Sequence, residues 1–260
     1  MSDDETVLTF TATVAALAFW GIWLTAAADT SLLVRPGRRL GAIVVTLAAS
    51  LAVVFVALLT RADPEVRSGA GYILLFLAVA ADTLALVTLV APTLGLPIID
   101  GFVRGRNAAT GWAVVGLWLG TGLVNAGANI GRGDTIYTTL GPLALALGAL
   151  LVLVAILSAL TRSFRAVRLD RDVPAGMRLA GLFIAWGLFL GRGAAGDWES
   201  VGRTLEDFGR SAAAAAYLLV GGAIVEAALR PTVRHPERSW RWGIGPAVGY
   251  SIPAVVWALT

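Results

Sequence analysis

Eight runs of roughly twenty apolar residues lie at about 7–28, 41–60, 70–95, 109–130, 137–160, 176–196, 211–229 and 242–259, and they leave this chain few ways to fold. A bilayer core about 30 Å thick is crossed by roughly 20 residues of α-helix, at about 1.5 Å of rise each. Only 14% of the residues are charged, against about 25% in soluble domains. One soluble core could not hide so much apolar surface, and the connections leave no room for a soluble catalytic domain. The expectation is an all-α polytopic transmembrane helix bundle of about eight spans, forming a single integral membrane domain over 1–260.

Arginine sets the orientation. All twenty basic residues are Arg. Thirteen fall in the first, third, fifth and seventh connections: Arg35, Arg38 and Arg39, then Arg104 and Arg106, then Arg162, Arg165, Arg168 and Arg171, then Arg230, Arg234, Arg238 and Arg241. The even connections hold five, namely Arg61, Arg67, Arg132, Arg203 and Arg210. Cytoplasmic loops carry the excess of positive residues. Both termini of an inner-membrane protein are therefore expected outside, which suits Asp3, Asp4 and Glu5. Ala26-Ala27-Ala28 follows an apolar run, but no basic segment precedes it, so the first span is read as retained rather than cleaved.

Several chemistries are excluded. There is no Cys, so thiol nucleophiles and thiolate metal sites are out. There is no Lys for a Schiff base, and the single His235 cannot form paired haem or zinc ligands. No cofactor and no metal site are expected. The net charge of +3 does not mark nucleic-acid binding, because the Arg residues cluster beside apolar runs as membrane flanks do.

A shift of 65 residues aligns Asn107–Gly141 with Asp172–Glu206 at eight identities in 35 positions. Gly111 meets Gly176, Gly116 meets Gly181, Gly122 meets Gly187 and Gly131 meets Gly196. This ordered spacing predicts a duplicated two-helix unit, about 70–135 and 137–208, with flanking hairpins at 1–69 and 209–260. Copies of equal orientation are related about the membrane normal.

Arg106-Asn107-Ala108-Ala109, followed by Gly116, Gly120 and Gly122, resembles the signature of the YjfL-type bacterial membrane proteins, a family of unknown function built from tandem two-helix repeats. Asp172-Val173-Pro174-Ala175-Gly176, with Gly181 and Gly187, is similar to its second copy. The resemblance spans roughly 75–230. Asp172 and Pro174 depart from its pattern. It implies an inner-membrane helical bundle and carries no activity with it.

Lipid offers no hydrophobic reason for helices to associate, so small residues that let backbones approach mark the packing faces. Gly116/Gly120, Gly127/Gly131, Gly187/Gly191 and Gly245/Gly249 have that spacing, and such faces also suit a homo-oligomer. Pro142, Pro246 and Pro253 each free a carbonyl that a neighbour must satisfy.

Ionisable groups at membrane depth are functional candidates. Asp82 lies about 12 residues, roughly 18 Å, below the outer surface and so near the midplane. Asn125 and Asn129 share a face closer to that surface and are suited to an inter-helix hydrogen bond. Arg192 is expected to snorkel toward Asp197, and Glu226 to pair with Arg230 at i+4. Trp198, Val201, Leu205 and Phe208 predict an amphipathic helix on the outer surface. Arg162, Arg165 and Arg168 form a basic stripe on the other side, facing anionic lipid or an acidic cytoplasmic partner. Two functional readings stand. One is a membrane scaffold or stress-associated component acting with partners. The other is an ion or proton channel or transporter using Asp82, with Asn125, Asn129 and Arg192. An enzyme would need clustered catalytic groups, and the sequence shows none.

Overall fold

Every apolar run becomes a helix, because in lipid a helix satisfies its own backbone hydrogen bonds. The computed structural model describes residues 2–29, 37–131, 137–196, 201–229 and 239–259. The long helices are α1 (Asp3–Asp29), α2 (Gly37–Thr60), α3 (Ala70–Val90), α4 (Ala108–Ala128), α5 (Tyr137–Leu160), α6 (Val173–Ala194), α7 (Val201–Ala228) and α8 (Arg241–Leu259). No strand occurs among the described residues. The protein is an all-α helical bundle.

Seven of these helices are long and apolar enough to cross a membrane by composition alone. The exception is α4, whose glycines and Asn125 dilute its apolar character. Its length is the same as that of α3, 21 residues, and its neighbours bury 16 of them. It meets protein rather than lipid, so it does not need an apolar surface of its own.

The even-numbered helices α2, α4, α6 and α8 form a row, and α4 and α6 are its centre. A side chain on Gly116 would overlap the backbone of Ala180, one on Gly120 that of Phe183, and one on Gly127 that of Gly191. From the opposite side Gly176 abuts Ala109, Gly187 abuts Gly120, and Gly191 abuts Leu123. Both sequence numbers rise together along this contact, so the two helices run parallel. On the flanks, Gly122 of α4 lies against Ser50 of α2, and Gly181 of α6 against Ala247 of α8. The odd-numbered helices cover one side of the row. Trp20 of α1 donates from its indole to the Ala81 carbonyl at 3.1 Å. Its ring meets Trp118 of α4 edge-on, 5.6 Å between centroids. Trp186 of α6 donates likewise to the Ala215 carbonyl of α7 at 3.0 Å.

The entries to α4 and α6 have the same geometry. Each is preceded by a wide helical turn, Ile98–Arg104 and Ala166–Asp170. Each then passes an arginine in the left-handed region, Arg106 at φ 52° and Arg171 at φ 54°. Few non-glycine residues sit there. Each helix is capped by a side-chain oxygen, from Asn107 to the N–H groups of Ala109 and Thr110, and from Asp172 to that of Ala175. At the other end Gly131 and Gly196 have φ of 131° and 132°.

One local expectation fails. No separate amphipathic helix lies on the outer surface within 201–208; these residues begin α7, a single helix of 28 residues. Phe208 is buried beside Gly193 of α6, and that contact holds the segment in line with the span. Trp198 lies outside the described residues.

Candidate functional site

The highest concentration of charge inside the protein lies between α6, α7 and α8. Arg178 sits about six residues, roughly 9 Å, beyond the cap of α6. Its Nε donates to Glu226 Oε1 at 2.6 Å, and its Nη2 to Glu226 Oε2 at 3.1 Å. The side chains are 1% and 2% exposed. Ser163, in the connection between α5 and α6, donates its hydroxyl to Glu226 Oε2 at 2.8 Å. Arg178 Nη1 donates to the Trp242 carbonyl at 3.1 Å.

The last bond follows from the sequence. Trp242 lies four residues before Pro246, which has no N–H to complete that helical bond. Arg178 therefore satisfies a carbonyl exposed by proline and a buried carboxylate with one planar group, a task suited to the guanidinium fork. The Glu226 carboxylate faces inward to Arg178, and its burial is tolerated because both its oxygens are hydrogen-bonded there. Arg230 lies outside the described residues. Tyr250 of α8 completes the cluster. Its phenol is buried within the electrostatic reach of both charges, and its hydroxyl has no hydrogen-bond partner among the described residues.

Arg178 carried no assigned role in the sequence reading. A signal for it existed: an arginine a few residues from the start of one span and a glutamate a few residues from the end of the next. What could not be read was that α6 and α7 turn those positions toward each other.

A second, neutral polar cluster lies in the half of the bundle away from the N-terminal ends of α4 and α6. Asn125 donates across to the Thr83 hydroxyl at 2.8 Å and back to the Thr121 carbonyl at 2.9 Å. Asn129 donates to the Asn125 carbonyl at 2.8 Å, inside the last turn of its own helix. Asn125 Oδ1 is buried and accepts no hydrogen bond among the described residues. Asp82, next to Thr83, is half-buried and makes no hydrogen bond or ion pair among the described residues. It shares a helix face with Leu86 and Leu89, four and seven residues on, both exposed. Arg192 is exposed and forms no ion pair with Asp82. The structure therefore joins Asn125 to Thr83 and leaves Asp82 and Arg192 apart. Asp197, the expected partner of Arg192, lies outside the described residues. The packing glycines Gly116, Gly120, Gly187 and Gly191 are all at the α4–α6 contact.

The N-terminal end of α4 is tied to the turn that leads into α6 by one amide. Asn107 caps its helix with Oδ1 and donates Nδ2 to the Val167 carbonyl at 2.7 Å and to that of Arg168 at 3.3 Å. Arg162, Arg165 and Arg168 are exposed there, while Phe164 and Val167 point into the core. On the uncovered side of the row an apolar groove of about 540 Å³ runs between α6 and α8, lined by Trp112, Met177, Ile184, Ile244, Val248 and Ile252 among others. No family model, no curated protein and no solved structure matches this chain.

Proposed function

We propose that this membrane-embedded helical protein is a scaffold of the inner membrane, acting with partners and with further copies of itself. The supporting observation is the α4–α6 contact, where glycines bring two backbones together at six levels. Helices packed that closely leave no lumen between them. The Asn125 amide nitrogen is held in short-range hydrogen bonds to the Thr83 hydroxyl and the Thr121 carbonyl. The buried ion pair locks α6, α7 and α8 at the cytoplasmic end. The matched caps, left-handed arginines and glycines of α4 and α6 support an internal duplication, and with it the resemblance to the YjfL-type family. The excess of arginine in alternate connections supports an orientation with both termini outside. The exposed Arg162, Arg165 and Arg168 then offer an acidic cytoplasmic partner or anionic headgroups a docking face.

A second reading rests on Asp82. A carboxyl near the midplane without a hydrogen bond among the described residues is costly, by about 2.5–3.5 kcal/mol on insertion scales. The buried acceptor of Asn125 is also unsatisfied. Ion or proton conduction would account for both. The deciding experiment is flux in proteoliposomes under proton, sodium and potassium gradients across a range of pH. The scaffold reading expects wild type to match empty vesicles. Flux that is lost in Asp82→Asn would replace it with the conduction reading.

A further inference from the structure

The row of even-numbered helices is built on one repeated contact, and the row ends with both halves of that contact unused. Gly41, Gly111, Gly176 and Gly243 occupy the same place in α2, α4, α6 and α8. Counted from that glycine, position −2 of one helix takes the glycine of the next: Ala109 takes Gly176, and Pro174 takes Gly243. Position +5 meets +4 of the next helix, as Gly116 meets Ala180 and Gly181 meets Ala247. Position +9 meets +11, as Ser50 meets Gly122 and Gly120 meets Gly187. The α4–α6 and α6–α8 interfaces thus share one register, and α2–α4 joins it at +9/+11, while Gly111 itself lies against Phe102.

Each helix of the row has a face for the helix before it and a face for the helix after it. In α6 the first of these is Gly176, Ala180, Phe183, Gly187 and Gly191, all buried. The same positions in α2 are Gly41, Val45, Ala48, Ala52 and Val56, and all are exposed. A side chain added to Gly41 would meet nothing within 4 Å. At the other end, the face of α8 for a following helix comprises Val248, Ile252, Val255 and Val256, again all exposed. Its counterparts in α4 include Gly116, Gly120 and Val124, all buried.

We propose that α8 of one molecule packs on α2 of a second copy, in the register that joins α6 to α8 within the chain. The argument is one of continuity. The same geometry holds at the α4–α6 and α6–α8 contacts and is met at one level by α2–α4, and the two unpaired faces are its missing halves. Both are free of charge between Gly41 and Val56 and between Val248 and Val256; the one charged residue of the register, Arg241 at position −2 of α8, falls beside Gly41 at the very end of both helices. Gly41, Ala48 and Ala52 permit the close backbone approach on which helix association in lipid depends. The contact is head to tail, so it generates a ring if the rotation closes and an open array if it does not. It deepens the scaffold reading by naming the surface through which copies assemble.

The chain has no cysteine, so introduced thiols are the only ones present. The register sets Val248 of one copy against Val45 of the next, and both side chains are exposed within a single molecule. Val45→Cys and Val248→Cys are expressed together in one membrane and oxidised with copper phenanthroline. The mixture is expected to give a dimer band joining one variant to the other, while each variant alone gives none. The doubly substituted chain should give a ladder or a closed oligomer of fixed size. Gly41→Leu should abolish the cross-link while leaving the melting temperature of the purified monomer unchanged. No cross-link in the mixture, a cross-link of either variant to itself, or a bond formed within one chain would each overturn the proposal. Failure here is separable from failure of the scaffold reading. A non-conducting protein that does not cross-link defeats only the interface, and a cross-linked oligomer that conducts defeats only the scaffold.

Discussion

Removing Arg178 should unmask the cost of the buried Glu226 carboxylate. In Arg178→Met a side chain of similar length fills the space, so packing is largely kept. Glu226 loses both guanidinium bonds and keeps only the Ser163 hydroxyl, and the Trp242 carbonyl loses its donor. Stranding one member of a buried pair costs about 3–5 kcal/mol. At about 1.4 kcal/mol per tenfold, the folding equilibrium should fall between roughly 100-fold and 4,000-fold. Arg178→Met combined with Glu226→Leu removes both charges, and the double variant should regain most of that loss, because the desolvation penalty goes with the pair. The assay is reversible unfolding in mixed detergent and dodecyl sulfate micelles, followed by the fluorescence of the nine tryptophans. A loss below about 1 kcal/mol in Arg178→Met, or a double variant no better than the single, would refute the reading of this pair as a dry, fully bonded lock.

Other expectations follow from the packing and the caps. Gly120→Leu and Gly187→Leu should sharply lower folded yield in detergent, because each side chain would enter the backbone of the facing helix, whereas Gly148→Leu, with nothing within 4 Å, should not; size-exclusion recovery of the three reads this. Asn107→Asp keeps the cap acceptor but turns a carboxylate oxygen toward the Val167 and Arg168 carbonyls in place of a donor. It should destabilise the protein by about 1–3 kcal/mol, as leaving buried acceptors unsatisfied does, measured by the same unfolding assay. A topology reporter fused after Arg168 should read cytoplasmic and one after Gly202 outside; the reverse pattern would invert the orientation and every depth assigned from it.

Spans, helix class and the packing role of small residues are local properties, and they are legible in one dimension. Twenty apolar residues must become a helix in lipid whatever surrounds them. Gly116, Gly120, Gly187 and Gly191 announce close approach because nothing else explains glycine inside a helix that lipid would otherwise favour filling. The freed carbonyl before Pro246 was equally readable, since proline lacks the N–H in any fold. Partners were not. Glu226 has Arg230 four residues away in the sequence, yet it bonds Arg178, 48 residues distant, because helix rotation decides which charge faces the interior. Asp82 and Arg192 both lie within spans but at different depths, which already argues against a direct pair, and no ion pair joins them among the described residues. The segment from Val201 looked like a surface helix because its polar and apolar residues alternate at helical period. Only the burial of Phe208 against α6 decided that it continues into α7. The sequence by itself determined which segments are helical and where helices touch most closely, since both follow from residue size and backbone chemistry. The tertiary structure decided which helices are neighbours, which faces meet and which are left open, because those depend on the rotation of each helix about its own axis.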